Sequence, residues 1–337
     1  MSKKAILLVN VGTPNSPKIK DVKRYLKEFL NDGRVITLPK ISRTLLVNGI
    51  IVPFRAKKSS KLYQKLWTDE GSPLLYHLED LNGKVQSLIG DDYLVFFAMR
   101  YGEPSLKRVL DKILANNIDE LVILPLYPQY ASSTTGSVFE EIADILKKKE
   151  TVPGIKFIHQ FYDHPEFIKV FSEKILKYNP KEYDHIIFSY HGLPESHIHA
   201  IHPKINVKEC TCEQKMPSHG NLCYRATCFA TTRLLAKELN LHKSDYSVGF
   251  QSRLSSKWLT PFADELIKEH AAKGTKKLLV VAPSFVTDCL ETIIEIEDEY
   301  QQLFIENGGH DLTLVKSLNS SSKWAEALVK ICLEANT

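Results

Sequence analysis

The chain has no long hydrophobic run. None of its apolar stretches approaches the roughly 18 residues of a membrane-crossing helix, so no span is expected. The opening "MSKKAILLVNVGTPNSP" carries an apolar run of strand length only. It is not followed by a small-residue cleavage site, so a secretory signal is not expected and a cytoplasmic chain is. An excess of one charge is also missing. Forty-four Lys and Arg against 40 Asp and Glu leave +4 over 337 residues, which gives no pointer to a nucleic-acid partner. Neither G-x-G-x-x-G nor G-x-x-x-x-G-K-[ST] occurs, and the first apolar run leads into "GTPNSP" with a single glycine, so nucleotide binding is unsupported. There is no low-complexity segment, short repeat or heptad, and oligomeric state is left open. Cysteine is sparse at six, yet four of the six lie between Cys210 and Cys228. In a reducing compartment clustered cysteines usually hold metal, not disulfides.

What is present is alternation. The apolar fraction of 43% suits packed cores, and the length suits two domains. Strand-like runs occur at Ala5–Val11, Tyr93–Met99, Glu120–Leu126, Ile155–Phe161, His185–Tyr190, Tyr246–Ser252, Lys277–Pro283 and Leu312–Leu318. Between them lie segments such as "SLKRVLDKILANN" and "EFIKVFSEKILKY", with apolar residues recurring at three and four. Strands apolar on both faces, separated by helices, predict an α/β fold of two doubly wound, Rossmann-like domains with parallel sheets. The first is expected over residues 1–150 and the second over 151–318, including a cysteine segment at 208–228. The C-terminal helix at 319–337 is expected to fold back onto the first domain.

Ligands of such folds sit beyond the carboxyl ends of the strands. His191 follows "HIIFSY" directly, with Gly192 and Pro194 turning the chain. After "KLLVVAP", Glu291, Glu295 and Glu299 stand at i, i+4 and i+8, one stripe of an α-helix. A histidine facing Glu291 handles protons near neutral pH, and a carboxylate row can pass a divalent cation. The plain alternative is a solvated acidic face, although like charges at i, i+4 destabilise a helix. After "ELVILPL", Ser133, Thr134, Thr135 and Gly136 precede a helix with early glutamates, which predicts an N-cap and an anion-binding helix start.

The cysteine spacing, C-x-C-x10-C-x4-C, suits a structural zinc or a [2Fe–2S] cluster equally. His219 is a weaker ligand candidate. His197, His199 and His202 form a tract read as a solvated loop, with metal delivery as its rival. The run from Leu45 to Val52, followed by Phe54 and flanked by basic residues, is too short to span a bilayer. It reads as a buried helix or as an interfacial segment on anionic headgroups.

The ordered set "LLVNVGTP", "EGSPLL", "MRYGEPS", "LYPQYASSTTG", "FSYHGLPESH", "FQSRLSSKWLTP" and "SFVTDCLETIIEIEDEY" resembles the ferrochelatases from about Lys4 to about Leu318. The resemblance implies a metal-inserting lyase that places Fe2+ into a porphyrin at the last step of haem synthesis, without an organic cofactor. It implies two similar halves with the porphyrin between them. His191 matches the family's proton-accepting or metal-handling histidine, Glu291 its acidic partner, and Glu295 and Glu299 its proposed metal path. Porphyrin contacts fall on Val11, Arg55, Tyr63, Ser72, Arg100, Tyr127, Ser133 and Trp258. Cys289 stands where many members have histidine, so catalysis is not expected to need it. Some bacterial members hold a [2Fe–2S] cluster in one internal segment, which matches Cys210, Cys212, Cys223 and Cys228, with structural zinc as the alternative. The Leu45–Phe54 run matches one lip of the porphyrin pocket. Its greasiness suits protoporphyrin IX more than the tetracarboxylate coproporphyrin III. A cobalt-inserting relative and a porphyrin carrier without turnover are the remaining alternatives; the glutamate row speaks against a carrier.

Overall fold

The computed structural model describes residues 3–207 and 209–335. Within them, eight strands form two separate four-stranded parallel sheets. β1 (Lys4–Thr13), β2 (Tyr93–Gly102), β3 (Glu120–Pro125) and β4 (Gly154–Phe157) stand in the order β2-β1-β3-β4. β5 (His185–His191), β6 (Tyr246–Gln251), β7 (Lys277–Val281) and β8 (Asp311–Val315) stand in the order β6-β5-β7-β8. The second sheet thus repeats the topology of the first. All eight apolar runs became strands because both faces of each sheet are covered. Ala5 to Val9 on β1 and Ile187, Phe188 and Tyr190 on β5 have no exposed surface. Each buried Leu, Ile or Phe of this kind stabilises the fold by about 1.5–3 kcal/mol.

The chain divides into one compact unit of residues 1–127, 131–160 and 320–337 and a second of 128–130 and 161–319. A boundary at 150 would have cut β4 from its partner β3, to which it pairs from Glu120↔Gly154 to Ile123↔Phe157. In the first unit the helix Ser322–Glu334 buries Trp324, Leu328 and Ile331 and packs on the helix Pro73–Ile89.

The register aligns the two sheets residue by residue. Met99 of β2 donates its N–H to Pro104 O, and Phe250 of β6 donates to Pro261 O, each at 2.8 Å. Asn10 pairs with Met99 and Tyr190 with Phe250, so Val11 and His191 are counterparts. So are the next residues, Gly12 and Gly192. A Cβ on Gly12 (φ +111°) would lie 1.7 Å from Tyr101 O, and one on Gly192 would lie 2.7 Å from Gln251 O. Only glycine lets the chain at the end of each first strand run this close to its neighbour.

At the opposite, amino-terminal end of the second sheet, the ring of His185 stacks on His270 with centroids 4.0 Å apart. Burial, reinforced by the charge of His270, pushes His185 down to about 4. Burial likewise lowers His270. Between the ordinary histidine value and these lowered values the unfolded chain binds protons that the folded chain refuses, so stability must fall as pH drops through that window. Denaturant melts of wild type and His185→Gln at about pH 7 and about pH 5 check this. The variant should lose less stability over the interval; an equal loss would contradict it.

Candidate active site

In the second unit the carboxyl ends of β5, β6 and β7 meet at the point where the strand order reverses, where doubly wound sheets bind their ligands. His191 ends β5 and is half-buried. Its Nδ1 lies 2.6 Å from Gly192 O. A carbonyl only accepts, so Nδ1 carries the proton and Nε2 keeps a free lone pair. The ring sits between Trp258, at a centroid distance of 6.3 Å, and Phe285, at 6.4 Å.

The acidic row winds as a π-helix, Leu290–Tyr300, instead of the α-helix that the i, i+4, i+8 spacing predicts. π-turns are rare and concentrate at functional sites. The three carboxylates do not share one environment. Glu299 is exposed and Glu291 half-buried. Glu295 is the one enclosed by donors. Its Oε1 accepts from Ser252 N at 2.7 Å and Tyr300 OH at 3.1 Å; its Oε2 accepts from Ser252 Oγ at 2.5 Å and Gln251 Nε2 at 3.0 Å. Burial raises the Glu295 carboxyl above its usual range, while Ser252, Gln251 and the charge of His191 pull the other way. The charge of His191 thus acts on Glu295, which the motif placed on the metal path. Glu291 instead accepts a hydrogen bond from the buried Cys289 thiol, whose pKa burial raises strongly. Gln251, buried at the end of β6, also donates to Glu291 O at 2.9 Å and accepts from Ser189 Oγ at 2.7 Å.

The expected contact residues of the first unit stand in different surroundings. Val11 and Tyr63 line the cluster formed by Val22, Tyr25, Leu26, Val47 and Val52, with Tyr63 edge-on to Tyr25 and Trp67. Ser72 is buried, its hydroxyl 2.9 Å from Thr13 Oγ1. Arg100 is engaged within the protein: it donates to Ser137 Oγ at 2.7 Å and to Asp32 Oδ2 at 2.8 Å. Burial works to raise Asp32, but donors from Ser137, Arg34 N and Tyr101, with the Arg100 charge, hold it below the usual carboxylate range. Tyr127 is packed against the sheet core, and burial raises its hydroxyl. Arg55 is exposed. Ser133 lies in a π-turn, Ser132–Gly136, that begins after Ala131 with no side-chain cap. The following helix Ser137–Leu146 has Gly136 before it and likewise no cap, so the predicted serine–threonine N-cap does not form. Arg34, which the motifs did not indicate, reaches Ser132 Oγ at 3.0 Å and pairs with Glu140.

The run from 40 to 66 is one continuous helix, with a π-turn at Val47–Ile51 between Lys40–Leu46 and Val52–Leu66. It is neither wholly buried nor wholly exposed. Val47, Val52 and Ala56 face the core, while Ile41, Leu45, Ile50 and Phe54 are 77, 69, 56 and 80% exposed. No helix among the described residues is long and apolar enough to cross a membrane.

The four cysteines belong to the second unit. Cys212, Cys223 and Cys228 are buried and Cys210 is half-buried. Burial pushes the Cys212 thiol up to about 12, with Arg225 opposing and Cys210 adding to the rise. Arg225, 6% exposed, donates from Nη1 to Cys212 Sγ at 2.6 Å and pairs with Glu213. His202 Nε2 lies 3.2 Å from Cys223 Sγ and His219 Nε2 lies 3.5 Å from Cys210 Sγ. His202 is buried, with no partner at Nδ1, so it is not the solvated loop residue that the tract suggested. Among the described residues no group of three His, Cys, Asp or Glu side chains stands ready to hold a metal ion. The donor chemistry nevertheless fits a thiolate-bound centre: four thiols are gathered in one segment, with a buried guanidinium beside them to offset negative charge.

The fold is that of the class II chelatases. SirB from Bacillus subtilis with Fe3+ matches with a TM-score of 0.56 at 13% identity, over 99% of this chain and 95% of that one. The sirohydrochlorin chelatase SirB from Bacillus subtilis subspecies spizizenii in complex with cobalt matches with a TM-score of 0.53 at 13% identity, over the same shares. The ferrochelatase family model matches residues 3–336. A ferrochelatase of Legionella pneumophila is 43% identical over 334 residues, covering 98% of this chain and 99% of that protein. One of Coxiella burnetii is 42% identical over 340 residues, covering 98% and 93%. The chain belongs to the ferrochelatase family, and its activity is metal insertion into a porphyrin for haem synthesis.

Proposed function

We propose that the chain inserts Fe2+ into protoporphyrin IX, with His191 as the proton acceptor and Glu295 and Glu291 as its acidic partners. The observation that carries this reading is that Gly192 O holds His191 Nδ1 and leaves a lone pair at Nε2, in the same strand-end site as a carboxylate held by four donors. The reaction breaks two pyrrole N–H bonds, leaves both electron pairs on nitrogen and forms iron–nitrogen bonds, with two protons released and no change of oxidation state. Nε2 is free to take a proton because Nδ1 is held by Gly192 O. The imidazolium that forms is stabilised by Glu295, and the carboxylate needs no reorganisation because Ser252, Gln251 and Tyr300 already hold it. Glu291 and the exposed Glu299 offer oxygen ligands to the incoming iron along the π-helix. Trp258 and Phe285 flank the ring and suit a flat, apolar macrocycle.

The exposed row Ile41, Leu45, Ile50 and Phe54, with Lys57, Lys58 and Lys61 following, supports peripheral contact with an anionic membrane surface, from which a sparingly soluble porphyrin can be taken. Anaerobic Fe2+ insertion into protoporphyrin IX and coproporphyrin III, followed by loss of porphyrin fluorescence, tests the substrate. Protoporphyrin should turn over faster, anionic vesicles should speed it, and Phe54→Asp should remove that gain. Faster coproporphyrin turnover without a vesicle effect would overturn the substrate and membrane readings together.

Cys210, Cys212, Cys223 and Cys228 would hold a [2Fe–2S] group, which when bound supplies a one-electron centre and a covalent staple across the segment. Arg225 lies ready to donate to the Cys212 sulfur. Protein purified anaerobically from iron-replete cells should be coloured and release acid-labile sulfide. Colourless protein carrying zinc instead would refute the cluster.

A further inference from the structure

We infer that Tyr224 is a positioning residue for His191 and that it ties this histidine to the four-cysteine segment. The inference rests on the proposed role of His191 as proton acceptor. Tyr224 directly follows Cys223 and opens the helix Tyr224–Glu238, whose next turn carries Cys228. Its hydroxyl donates to His191 O at 2.9 Å, and the Cys228 thiol lies one helical turn along. The side chain is 6% exposed, so water does not replace this bond.

The bond fills a gap in the sheet. β5 pairs with β7 only from His185↔Leu278 to Phe188↔Val281, whereas its pairing with β6 continues to His191↔Gln251. Gly192 N still donates to Gln251 O at 2.8 Å on the β6 side. On the other side the strand end has outrun its neighbour, and the carbonyl of His191 takes the Tyr224 phenol in place of a ladder partner. That carbonyl belongs to the same residue whose ring is aimed by the Nδ1–Gly192 contact. Fixing it fixes the lone pair that must meet the pyrrole proton. The helix turn that supplies the phenol also supplies Cys223 Sγ and Cys228 Sγ. A group held by Cys223 and Cys228 would bear directly on the helix turn that carries the phenol. The cysteine segment, remote from the acidic helix in sequence, is therefore one side chain away from the catalytic histidine.

The test uses the full chain as purified with its iron and sulfide content, with His191→Ala as reference. Tyr224→Phe keeps the ring and removes only the hydroxyl. It should lower kcat by about 10- to 100-fold, the penalty for a misplaced catalytic group, with KM for the porphyrin unchanged. It should also move the acid limb of the kcat profile. Cys228→Ala, or Cys228→Ser should that variant not fold, should lower kcat in the same way. Combining it with Tyr224→Phe should add little, because the two act through one contact. Wild-type kcat and acid limb in a folded Tyr224→Phe protein, beside a dead His191→Ala, would overturn the inference alone. Normal turnover by His191→Ala would overturn the proton-acceptor role and this inference with it.

Discussion

A carboxylate withdrawn from water must find donors or give up its charge. Glu295 finds four, and much of the second unit's site follows from that requirement. Gln251 and Ser252, at the end of β6, supply three of these donors. Tyr300 closes the last turn of the π-helix over the same oxygens. Gln251 then spans from Ser189 on β5 to the π-helix backbone, so the two elements that carry His191 and the glutamates are locked together through one amide side chain. The histidine is left with its Nδ1 engaged and its other nitrogen free, beside a negative charge that is already in place.

The two sheets have one topology and different chemistry. Val11 occupies the position of His191, and Arg100 occupies that of Gln251. Where the second unit surrounds a half-buried glutamate with neutral donors, the first surrounds an aspartate, Asp32, with Arg100, Tyr101 and Ser137. A glycine stands at the end of each first strand, where the neighbouring strand's carbonyl leaves no room for a Cβ. A common frame thus holds a histidine and a donor-enclosed carboxylate in one unit. In the other it holds an apolar wall and a charge pair that neutralises itself.

The strands were legible because a strand buried on both faces must be apolar at every position, and nothing else in a polar chain of this size looks like "AILLVNV" or "HIIFSY". Parallel pairing followed from the helices between them. His191 was legible from its place at a strand end, and the glutamate row from its spacing. The π-winding of that row was not, because α- and π-helices both bring i and i+4 near one another. The part played by Gln251 and Ser252 was missed, although "FQS" also ends a buried strand and the rule that found His191 applies to it equally. Tyr224 was hidden for a different reason. Its partner is a backbone carbonyl, which no side-chain pattern encodes. The lip was half legible: the apolar run was plain, but which residues face the core depends on the helix phase set by Val47, Val52 and Ala56.

The central claim is that the charge of Glu295 stabilises the protonated form of His191 during iron insertion. The direct measurement is the pH dependence of kcat for Glu295→Gln, which keeps the shape of the side chain but removes the charge. Without that charge the imidazolium is harder to form, so the maximal rate should fall and the acid limb should move to lower pH, with porphyrin affinity intact. A variant whose maximal rate and acid limb both match wild type would contradict the account.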